Sequence, residues 1–262
     1  MSADTGTVRL SIADGVAAVV FDRPQAHNAM TWSMYETLGA ICEQLAADAS
    51  VRVVTLRGAG GKAFVAGTDI AQFQSFASAE DGIAYESGID AGIERLERLP
   101  MPVVAILEGW VVGGGLAIAA ACDLRIATPD AQFGVPIART LGNCLSMASI
   151  SRLTALIGPA RVKDLIFSAR LVGAEEAFHI GLLTEVVEDL DALNKRAGEL
   201  AATVAATAPL TLAASKQALA RLMRRLTREE GEDLILMCYM SRDFREGMDA
   251  FLNKRAPHWS GE

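Results

Sequence analysis

The stretch Pro102–Arg125, PVVAILEGWVVGGGLAIAAACDLR, constrains this chain more than any other. It opens with an apolar run, Val103–Leu107, whose residues do not alternate with polar ones. That is the pattern of a strand covered on both faces. A short irregular turn is expected through Glu108–Val112, and then Gly113, Gly114 and Gly115 open a helix of small residues. Without a Cβ these glycines let backbone or ligand approach closely, and the first N–H groups of a helix have no partner within it. A helix start of that kind attracts negative charge. The same glycines also serve a tightly packed strand-to-helix junction, so this stretch alone leaves both readings open.

The chain has 262 residues, 51% of them hydrophobic, enough for one large core in a single domain. A net charge of −8 and a pI near 5.0 provide no basic field, so no nucleic-acid partner is expected. Cys42, Cys122, Cys144 and Cys238 are scattered, with no spacing that predicts a metal site or a disulfide framework. No uninterrupted apolar run reaches the ~18 residues of a membrane span, so no membrane partner is expected. The opening MSADTGTVRL lacks a basic flank followed by an apolar core, and a cytoplasmic location is the expectation.

In chain order, Val8–Ile12 and Val16–Phe21 read as strands joined by a hairpin turn at Ala-Asp-Gly. Thr31 is placed to cap a helix running to Ala47. Val51–Arg57 is a buried strand, GAGGKAFVAGTDI a glycine-rich loop, and Glu80–Leu99 a helix with Ile89, Ile93 and Leu96 on one stripe. Strands are expected at Leu124–Ala127 and near Gln132–Phe133, then a loop, GVPIARTLGN. From Cys144 onward the pattern is helical apart from a short strand at Thr184–Val187. Two strands per helix is not the dinucleotide-binding alternation, and the GGG turn lacks the G-x-G-x-x-G spacing. The expectation is an α/β core over residues 1–200 and a helical C-terminal region over 201–262.

AFVAGTDI and WVVGGGLA are both strand-to-helix turns that free a backbone N–H beside small residues. Two such groups converging on one point make an oxyanion hole, the device that stabilises an enolate formed from a thioester. Two unrelated packing turns remain the alternative. Here the sequence resembles the crotonase superfamily, typified by enoyl-CoA hydratase, over essentially its whole length. DRPQAHNAM, GKAFVAGTDI, PVVAILEGWVVGGGLAIAAACDLRIA, AQFGVP and SRDFREGMDAFLNKR carry the resemblance, in that order.

The resemblance implies a spiral of ββα repeats, trimerisation through the C-terminal region over 201–262, trimers that commonly pair into hexamers, and an acyl-CoA substrate. Coenzyme A is then part of the substrate, with no tightly bound cofactor and no metal. It puts the oxyanion hole on the N–H groups of Thr68 and Gly114. It puts the CoA contacts on Arg23, Ala26, Ala66, Asp69 and Ile70, with Phe251 and Lys254 reaching the adenine end. Arg23 also reads as an ordinary surface arginine, and Trp110 as either an acyl-pocket wall or plain core.

The sequence departs from the resemblance where hydratases carry two glutamates: those positions are Ala117 and Ile137. Neither can act as general acid or base. The loop after them offers Arg139, which could hold a substrate carboxylate or simply face solvent. Ser146 occupies a position where some relatives place an acid, and reads better as a helix cap. Tyr85, Glu86 and Asp90 lie on the helix after the first turn, from which the resemblance implies that some relatives draw catalytic groups; Glu86 or Asp90 could face the acyl chain, although most charges on such a helix face water. His27, His179 and His258 are not placed as bases, Cys144 reads as a small apolar group, and Glu108 as structural. An acyl-CoA enzyme with an enolate-like intermediate is expected. Hydration, isomerisation, decarboxylation, thioester hydrolysis and binding without catalysis remain open.

Overall fold

Asp14 and Gly15 take φ values of 50° and 77°, the pair of left-handed conformations that a tight two-residue hairpin requires. They join β1 (Thr7–Ala13) to β2 (Val16–Asp22), with Ala13 opposite Val16. This computed structural model describes residues 6–223 and 232–260. Thr31 caps α1 (Trp32–Ala47) as expected, its hydroxyl accepting from the Met34 N–H at 3.3 Å.

Three further units follow the same plan. The second contains β3 (Val53–Gly58), β4 (Ala63–Ala66), a 3-10 turn at Ile70–Ser75 and α2 (Ala79–Glu97). The third contains β5 (Val103–Leu107), β6 (Trp110–Val112) and α3 (Gly114–Ala121). The fourth contains β7 (Leu124–Ala127), β8 (Gln132–Gly134), the single turn α4 (Ile137–Thr140) and α5 (Met147–Phe167), which breaks at Gly158 before Pro159. Then come β9 (Leu171–Gly173), α6 (Ala174–His179), β10 (Glu185–Val186) and α7 (Leu190–Ala205). The described chain closes with α8 (Pro209–Met223), α9 (Glu232–Tyr239) and α10 (Arg242–Leu252).

In the second to fourth units the first strand joins a six-stranded sheet, in order β1-β2-β3-β5-β7-β10. The second strand joins a four-stranded sheet, β4-β6-β8-β9. Pairing is parallel from β2 through β10 in the first sheet and from β4 through β8 in the second. This is a spiral of ββα repeats. The apolar run of β5 now has its cause. Val103, Ala105 and Leu107 face the main core, while Val104 and Ile106 face α7 through Leu193, Ala197 and Ala201. α3 is buried on every side from Gly115 onward.

Several expectations are corrected. The glycine-rich loop contains β4, the irregular turn contains β6, β9 had no sequence signal, and GVPIARTLGN contains α4. The boundary at residue 200 cuts α7, which packs on β3, β5 and β7, so the core extends to Ala205. Residues 1–5, 224–231 and 261–262 of the two expected regions lie outside the described residues. Within the protomer, α9 and α10 fold back onto α2 and the 3-10 turn, where Phe73, Leu141, Ile235, Tyr239 and Phe244 form a third cluster. Among the described residues no single helix is long and apolar enough to cross a membrane.

Candidate active site

β4 and β6 pair in parallel with Ala66 beside Val112, so both strands end at the same edge and their following turns lie side by side. A Cβ built on Gly113 would stand 3.6 Å from Gly67 Cα. Gly113 takes φ 54° and ψ −120°, a conformation open to glycine, and a Cβ at Gly115 would collide with the Val65 carbonyl oxygen. The Gly113 N–H donates to Gly134 O at 3.0 Å. Around the first turn, the Met30 N–H donates to Gly67 O at 2.9 Å and the Asp69 N–H to Met30 O at 2.8 Å. Between these pinned peptides, the Thr68 N–H has no acceptor among the described residues, and neither has the Gly114 N–H at the start of α3. Unpaired donors fixed by two rigid turns can hold an oxyanion without reorganising.

Side chains close over these turns. The hydroxyls of Tyr35 on α1 and Tyr85 on α2 each lie 3.0 Å from Thr68 Oγ1. Tyr85 also packs against Trp32 and Phe73, with ring centroids 4.9 and 4.8 Å away. Ala117 is buried one turn along α3 from Gly114, and Ile137 packs against the same apolar cluster from the first position of α4. The two positions therefore present hydrocarbon.

Of the two places open to Glu86 in the sequence, water or the interior, the structure takes the less expected one. It is buried, and the Tyr239 hydroxyl donates to its Oε1 at 2.5 Å. Asn143 Nδ2 in turn donates to the Tyr239 oxygen at 3.3 Å. Loss of water around the carboxyl pushes Glu86 up to about 8. A signal was present: residue 86 falls on the buried stripe Gly82, Glu86, Ile89, Ile93, Leu96. Asp90, one turn on, accepts from the Ser146 hydroxyl at 2.7 Å. Ser146 also caps α5, accepting from the Ser149 N–H at 3.2 Å, which bears out its reading as a cap. Arg139 is exposed and has no polar partner among the described residues. Cys144 packs beside Cys238 against the third cluster, and that neighbour and burial push its thiol up.

The residues assigned to CoA fall into two groups. Arg23 Nη2 pairs with Asp69 Oδ2 at 2.9 Å, and Nη1 donates to Ala29 O at 3.2 Å, so Arg23 is no free surface arginine. Ala26 and Ala66 sit on the same loop pair, with the Ala66 N–H donating to His27 O at 3.0 Å, and Ile70 begins the 3-10 turn beside Asp69. Asn28 welds this corner. Its Oδ1 accepts from the Arg23 N–H at 2.9 Å, and its Nδ2 donates to Ala59 O at 2.9 Å and Ala63 O at 2.8 Å. Phe251 and Lys254 stand apart, exposed at the end of α10. Trp110 is 40% exposed at the end of β6 away from the glycines, so it is not core. Glu108 is structural as expected, buried and paired with Arg57 at 3.2 Å.

A fold of ββα repeats with two paired turns at one sheet edge defines the class, and comparison with known proteins agrees. The enoyl-CoA hydratase/isomerase family profile matches residues 11–262. A short-chain-enoyl-CoA hydratase of Clostridium acetobutylicum is 36% identical over 245 residues, covering 92% of each chain. Among solved structures, a methylmalonyl-CoA decarboxylase in complex with 2-nitronate-propionyl-CoA superposes with a TM-score of 0.88 at 29% identity, covering 97% of this chain and 98% of the other. An enoyl-CoA hydratase/carnithine racemase from Magnetospirillum magneticum gives 0.80 at 33% identity, covering 97% and 96%. The chain belongs to the enoyl-CoA hydratase/isomerase family and has the crotonase fold.

Proposed function

We propose that the protein is an acyl-CoA enzyme that polarises a thioester carbonyl between the Thr68 and Gly114 N–H groups and passes through an enolate-like state. The observation that carries this reading is the pair of adjacent, unpaired amides at one sheet edge, one of them at the start of a fully buried helix. Both donors are backbone atoms, preorganised by the turns. The Arg23–Asp69 corner is the candidate for the CoA moiety, with the guanidinium suited to phosphate.

Hydration by a pair of acids does not fit the hydrocarbon at Ala117 and Ile137. Decarboxylation of a malonyl-type thioester fits better. Loss of carbon dioxide leaves an enolate that needs stabilisation and one proton, with no activated water. The 0.88 TM-score to a methylmalonyl-CoA decarboxylase supports this second reading, while the exposure of Arg139 leaves the leaving carboxylate without the cation expected from sequence.

Turnover assays with crotonyl-CoA and methylmalonyl-CoA, run on the native protein and on the Ala117→Glu/Ile137→Glu double variant, test both points. The native protein is expected to release carbon dioxide from methylmalonyl-CoA and to hydrate crotonyl-CoA slowly, with hydration rising in the variant. Hydration at an ordinary enzymatic rate by the native protein would overturn the argument from the missing acids. Absence of binding by any CoA ester would overturn the acyl-CoA reading itself.

A further inference from the structure

Thr68 carries a second polar group beside its N–H, and that group is surrounded in an unusual way. Its hydroxyl oxygen lies 3.0 Å from the Tyr35 hydroxyl and 3.0 Å from the Tyr85 hydroxyl. Three hydroxyls from three elements therefore form one chain: Tyr35 on α1, Thr68 after β4 and Tyr85 on α2. Burial pushes both tyrosines well above their ordinary value, so each keeps its proton throughout the neutral range.

The three oxygens carry three protons. Two contacts within the chain use two of them. Among the described residues no further acceptor faces any of the three hydroxyls, so one proton is left over. Gly114 lies against this chain of hydroxyls. A Cβ built there would stand 2.5 Å from the Tyr35 oxygen and 3.3 Å from Thr68 Oγ1, so the hydroxyl chain borders the second amide.

We propose that the Tyr35–Thr68–Tyr85 hydroxyl chain supplies a third, side-chain hydrogen-bond donor to the anion formed at the Thr68 and Gly114 amides. This rests on the oxyanion reading above and extends it. With both tyrosines donating, the threonine oxygen accepts two hydrogen bonds, and its own O–H becomes a stronger donor, since bonds in series polarise one another. In that arrangement the spare proton sits on Thr68. A donor whose acceptor is missing in the free protein gains its partner when charge appears on the thioester oxygen. Such an interaction favours the transition state over the bound substrate.

Thr68→Val removes the hydroxyl, keeps the shape and leaves the backbone N–H in place. Two readouts separate a donor from a mere strut between α1 and α2. One is the absorbance shift of bound cinnamoyl-CoA, which moves to the red as its carbonyl is polarised. The other is the rate of carbon dioxide release from methylmalonyl-CoA, which leaves the same kind of enolate and needs no base to remove a proton. The native protein is expected to show both. Thr68→Val is expected to lose much of the shift and about 100-fold in decarboxylation rate, the lower end of what a lost oxyanion donor costs, with affinity for butyryl-CoA within about threefold by the same logic of differential binding. Thr68→Ser is expected to restore both signals, and Tyr85→Phe to give a smaller loss, which covers the case of Thr68→Val failing to fold. Undiminished shift in Thr68→Val, or in a well-folded Tyr85→Phe, overturns the proposal whether or not methylmalonyl-CoA is turned over. A native protein that binds the esters without any shift overturns the oxyanion reading, and this proposal with it.

Discussion

Tyr239 on α9 donates its hydroxyl proton to Glu86 on α2 across 2.5 Å, and this bond ties the C-terminal helices to the wall of the candidate site. The carboxyl faces Tyr35, Tyr85, Asp90, Tyr239 and the Cys144–Cys238 pair, and no cation is among the causes of its shift. Burial is the largest cause of its rise to about 8, and Asp90 adds to it, while the bond from Tyr239 works the other way.

Stability follows from that value. Glu86 is held neutral in the folded state and ionises near 4.5 when unfolded. Its contribution is fully present below the unfolded value and is lost as pH rises toward 8, where the folded protein also ionises. Over that window the folded state binds more protons, and stability falls by up to ~1.4 kcal/mol per pH unit from this group alone. Denaturant titrations of the native protein and Glu86→Gln between pH 5 and 8 check this. The native slope is expected to be steeper than the variant's, and equal slopes refute the assignment.

Asn28 is fully buried, with φ 57° and three hydrogen bonds to the backbone of two other segments. Asn28→Ala strands the Ala59 and Ala63 carbonyls and puts an alanine in the left-handed region. A loss of about 2–4 kcal/mol is expected, from unsatisfied buried groups and backbone strain together. Asn28→Gly removes the strain alone and should recover only part of it in the same melts.

Gly115 is the least replaceable of the three consecutive glycines. A Cβ there meets backbone, the Val65 carbonyl oxygen on β4, which cannot swing aside as a side chain can. At Gly114 the first obstacle is the Tyr35 hydroxyl. Gly115→Ala is therefore expected to abolish soluble folded protein. Gly114→Ala is expected to fold and to lose acyl-CoA turnover. Circular dichroism and an activity assay on the pair decide between the two behaviours.

The Arg125 side chain is buried and, among the described residues, bonds to carbonyls alone: Leu182 O at 2.7 Å, Cys122 O at 2.5 Å and Ala119 O at 3.4 Å. Two of these belong to the C-terminal end of α3, where a cation suits the helix dipole. Lysine keeps the charge but not the planar fork. Arg125→Lys is expected to cost about 2–3 kcal/mol, in line with losing bonds from a buried charged donor. A melting temperature unchanged from the native protein would contradict that account.

What the sequence could say about the fold depended on element length. β5 and β7 were legible to the residue, and the long helices α1 and α2 nearly so, because each carries a periodic or continuous apolar signal. The second sheet was not. β6, β8 and β9 have three residues each, too few for a period, and β4 hides among glycines, so only β8 was placed. The site divided in the same way. The two turns could be found because a glycine turn before a helix is a local pattern, and the family resemblance then put the oxyanion hole on Thr68 and Gly114. Glu86, Tyr35, Tyr85 and Tyr239 come together from three helices, and only the reach of α9 across α2 shows that Glu86 faces inward.

The pairing of β4 with β6 carries a lasting consequence. The turns that present Thr68 and Gly114 are separated along the chain by a 3-10 turn, a helix and two strands, yet their spacing is set by one ladder rung, a backbone dimension of ~4.8 Å common to every sheet. The gauge of the gap between the two amides is thus written in peptide geometry and insulated from side-chain drift. Substitutions at 117, 137 and along α2 change the walls around the two amides, while the gap itself stays calibrated. A family built on such a gauge can change its chemistry without first having to relearn its grip.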